Sequence, residues 1–344
     1  MPDETRRPSW DHRRGTAGVR LILAVGADHG VPPATCLAAS GVSSADLDDP
    51  DRLIEAGQEL AVARNLLRVL GDRPGLGVEA GRRYTIGALG LWGFALMASP
   101  TGRDAMRLGV RYAELSFAFI RAGFEEDRAG GRVLLGDEEI PPDARGFFVE
   151  RELTKIVSLA PVAFGRGVRL RVETAFTGAR ERALRRALPE IDLEGGASAH
   201  VLHLPRAILD APLPQADAAT VRALERELAS LLGRRHGHGP TTARVHAMLL
   251  TSRESTGLPA IAGRLHVHPR TLRRRLADEG TTFRALRDDV HETLARNLLA
   301  EGGLSVQEVA AHLGYNDAAA FSHAFKRWTG RTPGSLRNAA AAGD

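Results

Sequence analysis

One cysteine, Cys36, stands in a chain of 344 residues, and two lysines, Lys155 and Lys326, stand among 46 basic side chains. A single cysteine excludes an intramolecular disulfide and any zinc site built on several thiolates. No run of about 18 apolar residues occurs, which excludes a membrane-spanning helix. Aromatic residues make up 5% of the chain, too few for an aromatic-rich binding platform. Residues 1–18 are polar and arginine-rich and lack the apolar stretch of a secretory signal. They are expected to be disordered, and the chain to be cytoplasmic with no membrane partner. No serine sits in a G-x-S-x-G elbow, and Gly87, Gly90 and Gly93 are not spaced as a dinucleotide fingerprint. The pairs His236-x-His238 and His266-x-His268 have no third ligand nearby, so neither a metal nor a cofactor is expected.

What is present is an uneven charge. Residues 1–240 hold 32 basic and 32 acidic side chains, whereas residues 241–338 hold 14 against 9. The formal charge of +4 therefore gathers in the last hundred residues, about one small domain. A net-basic domain beside a neutral one points to a polyanionic partner, nucleic acid first among them. The hydrophobic content of 43% is enough for real cores.

Periodicity divides the chain the same way. Val19 to Leu70 is helical in pattern, broken at Pro32-Pro33 and Asp48-Asp49-Pro50. Helices are predicted over Ile86–Met97, from Arg103 to Ile120 and from Ala144 to Ala163. Phe124 to Leu135 reads as a β-hairpin, and Val168–Val172 and Val201–Leu204 as strands. Residues 19–215 are thus a helix-rich α+β domain. A helix over 216–232 carries Val221, Leu224, Leu228 and Leu231 on one face, suited either to packing on its own domain or to a homodimer seam. After a Gly/His/Arg linker ending at residue 240, every periodic segment is helical. About seven short helices are expected in an all-α domain over 241–338, followed by a tail over 339–344.

Within that domain, Leu258–Leu276 has the grammar of a helix-turn-helix. Ile261, Ala262 and Leu265 lie on a first helix, a tight turn follows at His266-Val267-His268, and Pro269 opens a second helix. Leu272 and Leu276 bury one face of it, while Arg270, Thr271, Arg273 and Arg274 are left to read the major groove, where arginine pairs bidentately with guanine. The grammar recurs over Val306–Phe325. Val309, Ala310 and Leu313 form a first helix, Gly314 supplies a turn residue free to take positive φ, Asp317 caps, and Phe321 and Phe325 bury a second helix. Asn316, Ala318, Ala319, Ser322, His323 and Lys326 are its candidate DNA-facing residues. One helix over Arg284–Ala300 can hold the two units about 34 Å apart, one turn of B-DNA.

Gly314-Tyr315, Phe321-Ser322, Ala324 to Trp328, Thr329-Gly330, Thr332-Pro333 and Arg337 strongly resemble the signature of AraC/XylS-type transcriptional regulators, and Pro269 to Leu272 with Arg274 to Leu276 resemble their first recognition helix. Gly87 to Gly90, Ser99-Pro100-Thr101, Arg111-Tyr112, Leu204-Pro205 and Leu213-Pro214 resemble the N-terminal domain of the ornithine-utilisation-regulator-like branch, which is catalogued as arabinose-binding. The resemblance implies a double helix-turn-helix domain that binds double-stranded promoter DNA and contacts RNA polymerase, and an N-terminal domain that binds a small-molecule effector in a mostly apolar pocket. Trp92, Phe94, Tyr112 and Phe119 are candidates for the pocket wall, with core packing as the alternative for each. Arg103 and Arg111 are candidates to meet an anionic effector, with a solvated face as the alternative. His266 stands where the family has Gly and His268 where it has a Ser cap. The alanines at 318 and 319 offer a base only a methyl contact, so the first unit is expected to carry most sequence discrimination. The alternative classes are a DNA-repair methyltransferase, which needs several cysteines, and a non-specific architectural DNA binder; a non-enzymatic regulator is expected.

Overall fold

The computed structural model describes residues 8–49, 51–165, 167–235, 240–251, 257–300, 304–315 and 317–335. Helix Pro142–Phe164 is the axis of the N-terminal domain. Proline at its first turn suits it to start there, and Ala144, Phe147, Phe148, Leu153 and Val157 are among its many buried residues. Helix Leu76–Arg82 lies directly on it through Gly77 and Gly81. A Cβ at Gly77 would meet the Phe147 carbonyl at 2.1 Å, and one at Gly81 the Arg151 carbonyl at 2.5 Å. The four-residue spacing puts both glycines on one helix face, and only glycine allows so close a crossing.

Against the same axis packs a five-stranded sheet, in the spatial order Arg121–Glu126, Gly130–Gly136, His200–Pro205, Arg171–Thr174 and Asp192–Gly195. Neighbours are antiparallel except the last pair, which is parallel and joined through helix Gly178–Ala187. The expected hairpin is present, with Phe124 opposite Val133. Its alternation sends Val133 and Leu135 inward, level with Leu202 and His200 on the next strand. The strand expected from Val168 begins three residues later, because only 171–174 find ladder partners at 192–195 and 201–203. Helix Phe283–Ala300 of the C-terminal domain runs against the outer strand 121–126 and so covers a sheet edge.

Two expectations fail here. The helix drawn from Arg103 to Ile120 ends at Arg111. Leu115, Phe117, Phe119 and Ile120 all bury, but in different cores, so the chain passes through a short 3-10 turn into the outer strand. Residues 8–18 are not disordered. Trp10 is buried, and Arg14, 0% exposed, sits in a short strand paired with Leu53–Ile54. Its guanidinium bonds Glu59 and the carbonyls of Trp10 and Phe117, which satisfies the charge that made the segment look solvated.

Helices Ala218–Arg235 and Pro240–Thr251 connect the two domains. They cross at Gly233, where a Cβ would meet the Ala243 Cα at 2.8 Å. The apolar stripe of the first is used inside the chain: Val221 and Leu228 are buried, and Leu224 and Leu231 pack on the same core. Of the two uses open to that stripe, packing within the chain is the one seen. C-terminal to it lie Leu258–Arg264, Pro269–Asp278, Phe283–Ala300, Val306–His312 and Ala318–Thr329, with helical backbone again at 333–335.

Candidate nucleic-acid interface and ligand cavity

The turn of the first helix-turn-helix places His266 at φ +55°, the left-handed conformation the pattern requires. His268 then caps the second helix through its side chain, its Nδ1 accepting the Arg270 N–H at 3.3 Å. Histidine thus replaces a serine cap with a longer version of the same bond. Leu272 and Leu276 are wholly buried, together with Ile261 and Ala262 of the preceding helix. The other face turns Arg270, Arg273 and Arg274 to solvent, with Thr271 half-buried beside them. Arg275, passed over in the sequence, is equally exposed. Among the described residues none of these four arginines has a carboxylate partner, so their charge is free for a polyanion.

The second unit is built alike. Gly314 turns at φ +75°, Asp317 accepts the Ala320 N–H at 2.7 Å as the expected cap, and Phe321 and Phe325 are fully buried. Ser305 and Glu308 add a reciprocal capping box on its first helix. His323, Lys326 and Ala319 are exposed, and Ala318 and Ser322 half-buried; Asn316 lies outside the described residues. Arg327 is drawn back to Asp288 on the connecting helix at 3.1 Å. That connecting helix serves both units. Leu286 and Val290 join the first core, and Ala295 and Leu299 the second.

A cavity of ≈ 140 Å³ lies inside the N-terminal domain. Its walls come from four directions: Trp92 and Leu96 of helix Gly90–Ala98, Met106 and Val110 of helix Gly102–Arg111, Val133 and Leu202 of the sheet, and Ile156 and Leu159 of the axial helix. The lining is apolar except for Ser116 and one ion pair, Glu152 with Lys155. Both charged side chains are buried, at 6% and 3% exposure. Burial pushes the Lys155 ammonium below the usual lysine range, against the pull of Glu152.

Residues 30–213 match the family described as "Arabinose-binding domain of AraC transcription regulator, N-term", and residues 261–339 match a helix-turn-helix domain family. The first match alone spans more than half the chain. The protein belongs to the AraC-type transcription regulators. An HTH-type transcriptional regulator of Mycobacterium tuberculosis is 37% identical to it over 340 residues, 96% of each chain. The ornithine utilization regulator of Pseudomonas aeruginosa is 28% identical over 328 residues, 94% of this chain and 96% of that one. The crystal structure of the transcriptional regulator CdpR from Pseudomonas aeruginosa overlays with a TM-score of 0.49 at 25% identity, covering 94% of this chain and 98% of that one.

In this AraC-type regulator the predicted pocket residues scatter. Only Trp92 lines the cavity, its Nε1–H donating to the Gly109 carbonyl at 3.3 Å. Phe94 is on the same helix but turned outward, 51% exposed, since two residues along a helix is slightly more than a half-turn. Tyr112 is buried in the core shared with the linking helices. Phe119 is stacked on Phe148 with its ring centroid 4.0 Å away, under the Arg14 guanidinium. Arg103 pairs with Glu126 and Asp210, and Arg111 with Glu225 of the linking helix, so neither faces the cavity. The residues that sequence reasoning missed are Glu152 and Lys155. A signal existed: in a chain that otherwise uses arginine, Lys155 sits in a predicted helix among apolar residues, three positions after a glutamate.

Cavity and DNA-binding helix are joined by one apolar core. Ala95 and Ala98, on the helix whose Trp92 and Leu96 line the cavity, pack with Leu228, Ala229 and Leu232 of the linking helix. The same cluster continues through Val245, Leu249 and Leu250 to Ile261, Leu272 and Leu276.

Proposed function

We propose that this DNA-binding transcriptional regulator is controlled by a small molecule held in the apolar cavity of its N-terminal domain. The continuous core from the cavity wall to the first recognition helix carries the reading. A ligand that shifts helix 90–98 or 102–111 has packed side chains to push against all the way to Leu272, and close-packed interiors transmit such shifts as discrete rearrangements. Arg270, Thr271, Arg273 and Arg274 then read base edges of promoter DNA, while Ser322, His323 and Lys326 of the second unit position phosphates. On the promoter the protein contacts RNA polymerase, as its family resemblance implies. The effector is not a pentose. A sugar would bury several hydroxyls, and each one left unpaired costs about 1–3 kcal/mol, whereas among the described residues the polar side chains of this lining, apart from the Trp92 N–H already bonded, are Ser116, Glu152 and Lys155. The burial of Cys36, 1% exposed with its thiol raised away from the reactive thiolate, speaks for a regulator over an enzyme of the methyl-transfer kind.

The test is a thermal-shift screen of small apolar compounds on the full chain, followed by operator footprinting with each hit. A compound that raises Tm through the cavity changes operator affinity by about 5-fold or more. Ala122→Phe, which fills the cavity from the outer strand, removes both effects. A hit that this variant excludes, yet that leaves operator affinity untouched, would overturn the coupling.

A further inference from the structure

The cavity has a charge as well as a shape. Lys155 has three N–H donors, and among the described residues only Glu152 accepts from them; the Tyr84 ring lies 5.4 Å from the ammonium but takes no hydrogen bond from it. Behind the pair stands a second buried group. Glu59 accepts from Arg14 at 3.3 Å and from Arg151 at 2.7 Å, and both guanidiniums also donate to the Phe117 carbonyl. All five charged residues are below 7% exposed. The buried group therefore holds three cations, Arg14, Arg151 and Lys155, against two carboxylates, Glu59 and Glu152. Arg14 and Arg151 bond Glu59 and the backbone and keep only their buried Nε–H groups unpaired, and neither lines the cavity, so Lys155 is the cation of the group at the wall of an otherwise apolar space. Low dielectric makes an unbalanced positive charge costly, and an anion placed beside it correspondingly favourable.

We propose that the cavity takes a small, largely apolar monoanion, a carboxylate on a body of about the size of benzene, whose acid group accepts from the Lys155 ammonium. The size follows from the volume, since apolar cavities near 150 Å³ hold a benzene-sized molecule. The sign follows from the excess of buried cations: a ligand amine on Glu152 would add a fourth cation to the group, whereas a carboxylate on Lys155 balances it. This rests on the effector reading above and adds to it the chemistry of the ligand.

Three probes of one shape separate the alternatives in calorimetry and thermal denaturation of the full chain: cyclohexanecarboxylate, cyclohexanecarboxamide and cyclohexylmethylamine. The carboxylate is expected to bind at least 10-fold more tightly than the amide, and the amine not to bind. Glu152→Gln, which frees Lys155 of its competing carboxylate, strengthens carboxylate binding severalfold. Lys155→Met abolishes the advantage of the carboxylate over the amide while leaving weak, shape-driven binding of the amide. Should Lys155→Met not fold, the ranking of the three probes on the unaltered protein and on Glu152→Gln decides the matter. Equal binding of carboxylate and amide, or preferential binding of the amine, overturns the anion proposal and leaves an effector cavity of other chemistry. Binding of none of the three overturns the proposal as well; the effector reading is then judged separately, by the compound screen and Ala122→Phe.

Discussion

The two helix-turn-helix units share one grammar but rest on different foundations. The first is continuous with the rest of the protein, its Leu272 and Leu276 belonging to the cluster that includes Leu228 of the linking helix and Leu108 of the helix whose Met106 and Val110 line the cavity. The second has a core of its own, in which Phe321 and Phe325 meet Val309, Leu313 and Leu299, and helix 283–300 joins it to the first. Their outer faces differ in the same sense. The first offers four exposed arginines without ion-pair partners among the described residues, whereas the second offers His323 and Lys326, with its Arg327 tied to Asp288. A unit continuous with the N-terminal domain and rich in guanidinium is suited to base reading under the control proposed above. A unit standing on a separate core is suited to anchoring.

Core truncation breaks this comparison most severely. Leu272→Ala is expected to cost about 2–5 kcal/mol and Phe321→Ala about 3–5, yet their reach should differ. Hydrogen exchange should show protection lost across the linking helices and first unit in Leu272→Ala, and only from residue 294 onward in Phe321→Ala. Loss spreading equally in both would mean the two cores are one folding unit.

Next in size is the effect on DNA. Arg273→Ala should weaken operator binding by about 1–3 kcal/mol and relax base preference in its half-site. Lys326→Ala should weaken operator and random DNA alike and lower the salt dependence by about one phosphate contact. Binding to operator variants at several salt concentrations checks both; relaxed preference in Lys326→Ala would contradict the division of labour.

Acid should separate the units in order. Burial, with Arg287 adding to it, lowers His291 to about 4, and its ring packs against Tyr315 and Trp328 of the second unit. A depressed histidine favours the folded state while neutral, so its contribution is complete above about 6.5 and is lost as pH falls toward 4. In the first unit, burial opposes the ionised Glu279, but the N–H groups of Thr242 and Thr241 outweigh it and hold the carboxyl down to about 2. That contribution is complete above about 4.5 and is lost as pH falls toward 2. Denaturant melts followed by Trp328 fluorescence should therefore weaken between pH 6.5 and 4, and His291→Phe should flatten that dependence. The smallest effect is expected for Glu279→Gln, whose destabilisation relative to the parent should persist at pH 5 and vanish by pH 2.

The DNA-binding half was legible because its determinants are close in the chain. Within each unit the determinants, the left-handed turn at His266 with the leucine pair in the first and Gly314, the Asp317 cap and the phenylalanine pair in the second, act within about twenty residues of one another. The cavity was not legible in the same way. Aromatic content marked Phe94, Tyr112 and Phe119, but aromatics bury wherever there is room, and these three went to the surface, to the inter-domain core and to the Arg14 cluster. The arginines chosen for an anion found carboxylates at Glu126, Asp210 and Glu225, partners 23 to 114 residues away whose nearness no spacing reveals.

By itself, then, the sequence determined the division into a neutral α+β domain and a basic helical one, and the two recognition helices with their caps and turns, since capping, turn conformation and amphipathic period are properties of neighbouring residues. Tertiary structure alone decided where the cavity lies, that Lys155 and Glu152 share its wall with a buried excess of cations behind them, and that the first unit, not the second, is continuous with it. Those outcomes depend on which distant side chains compete for the same interior volume and for the same few buried hydrogen-bond partners, and only the packed chain settles that competition.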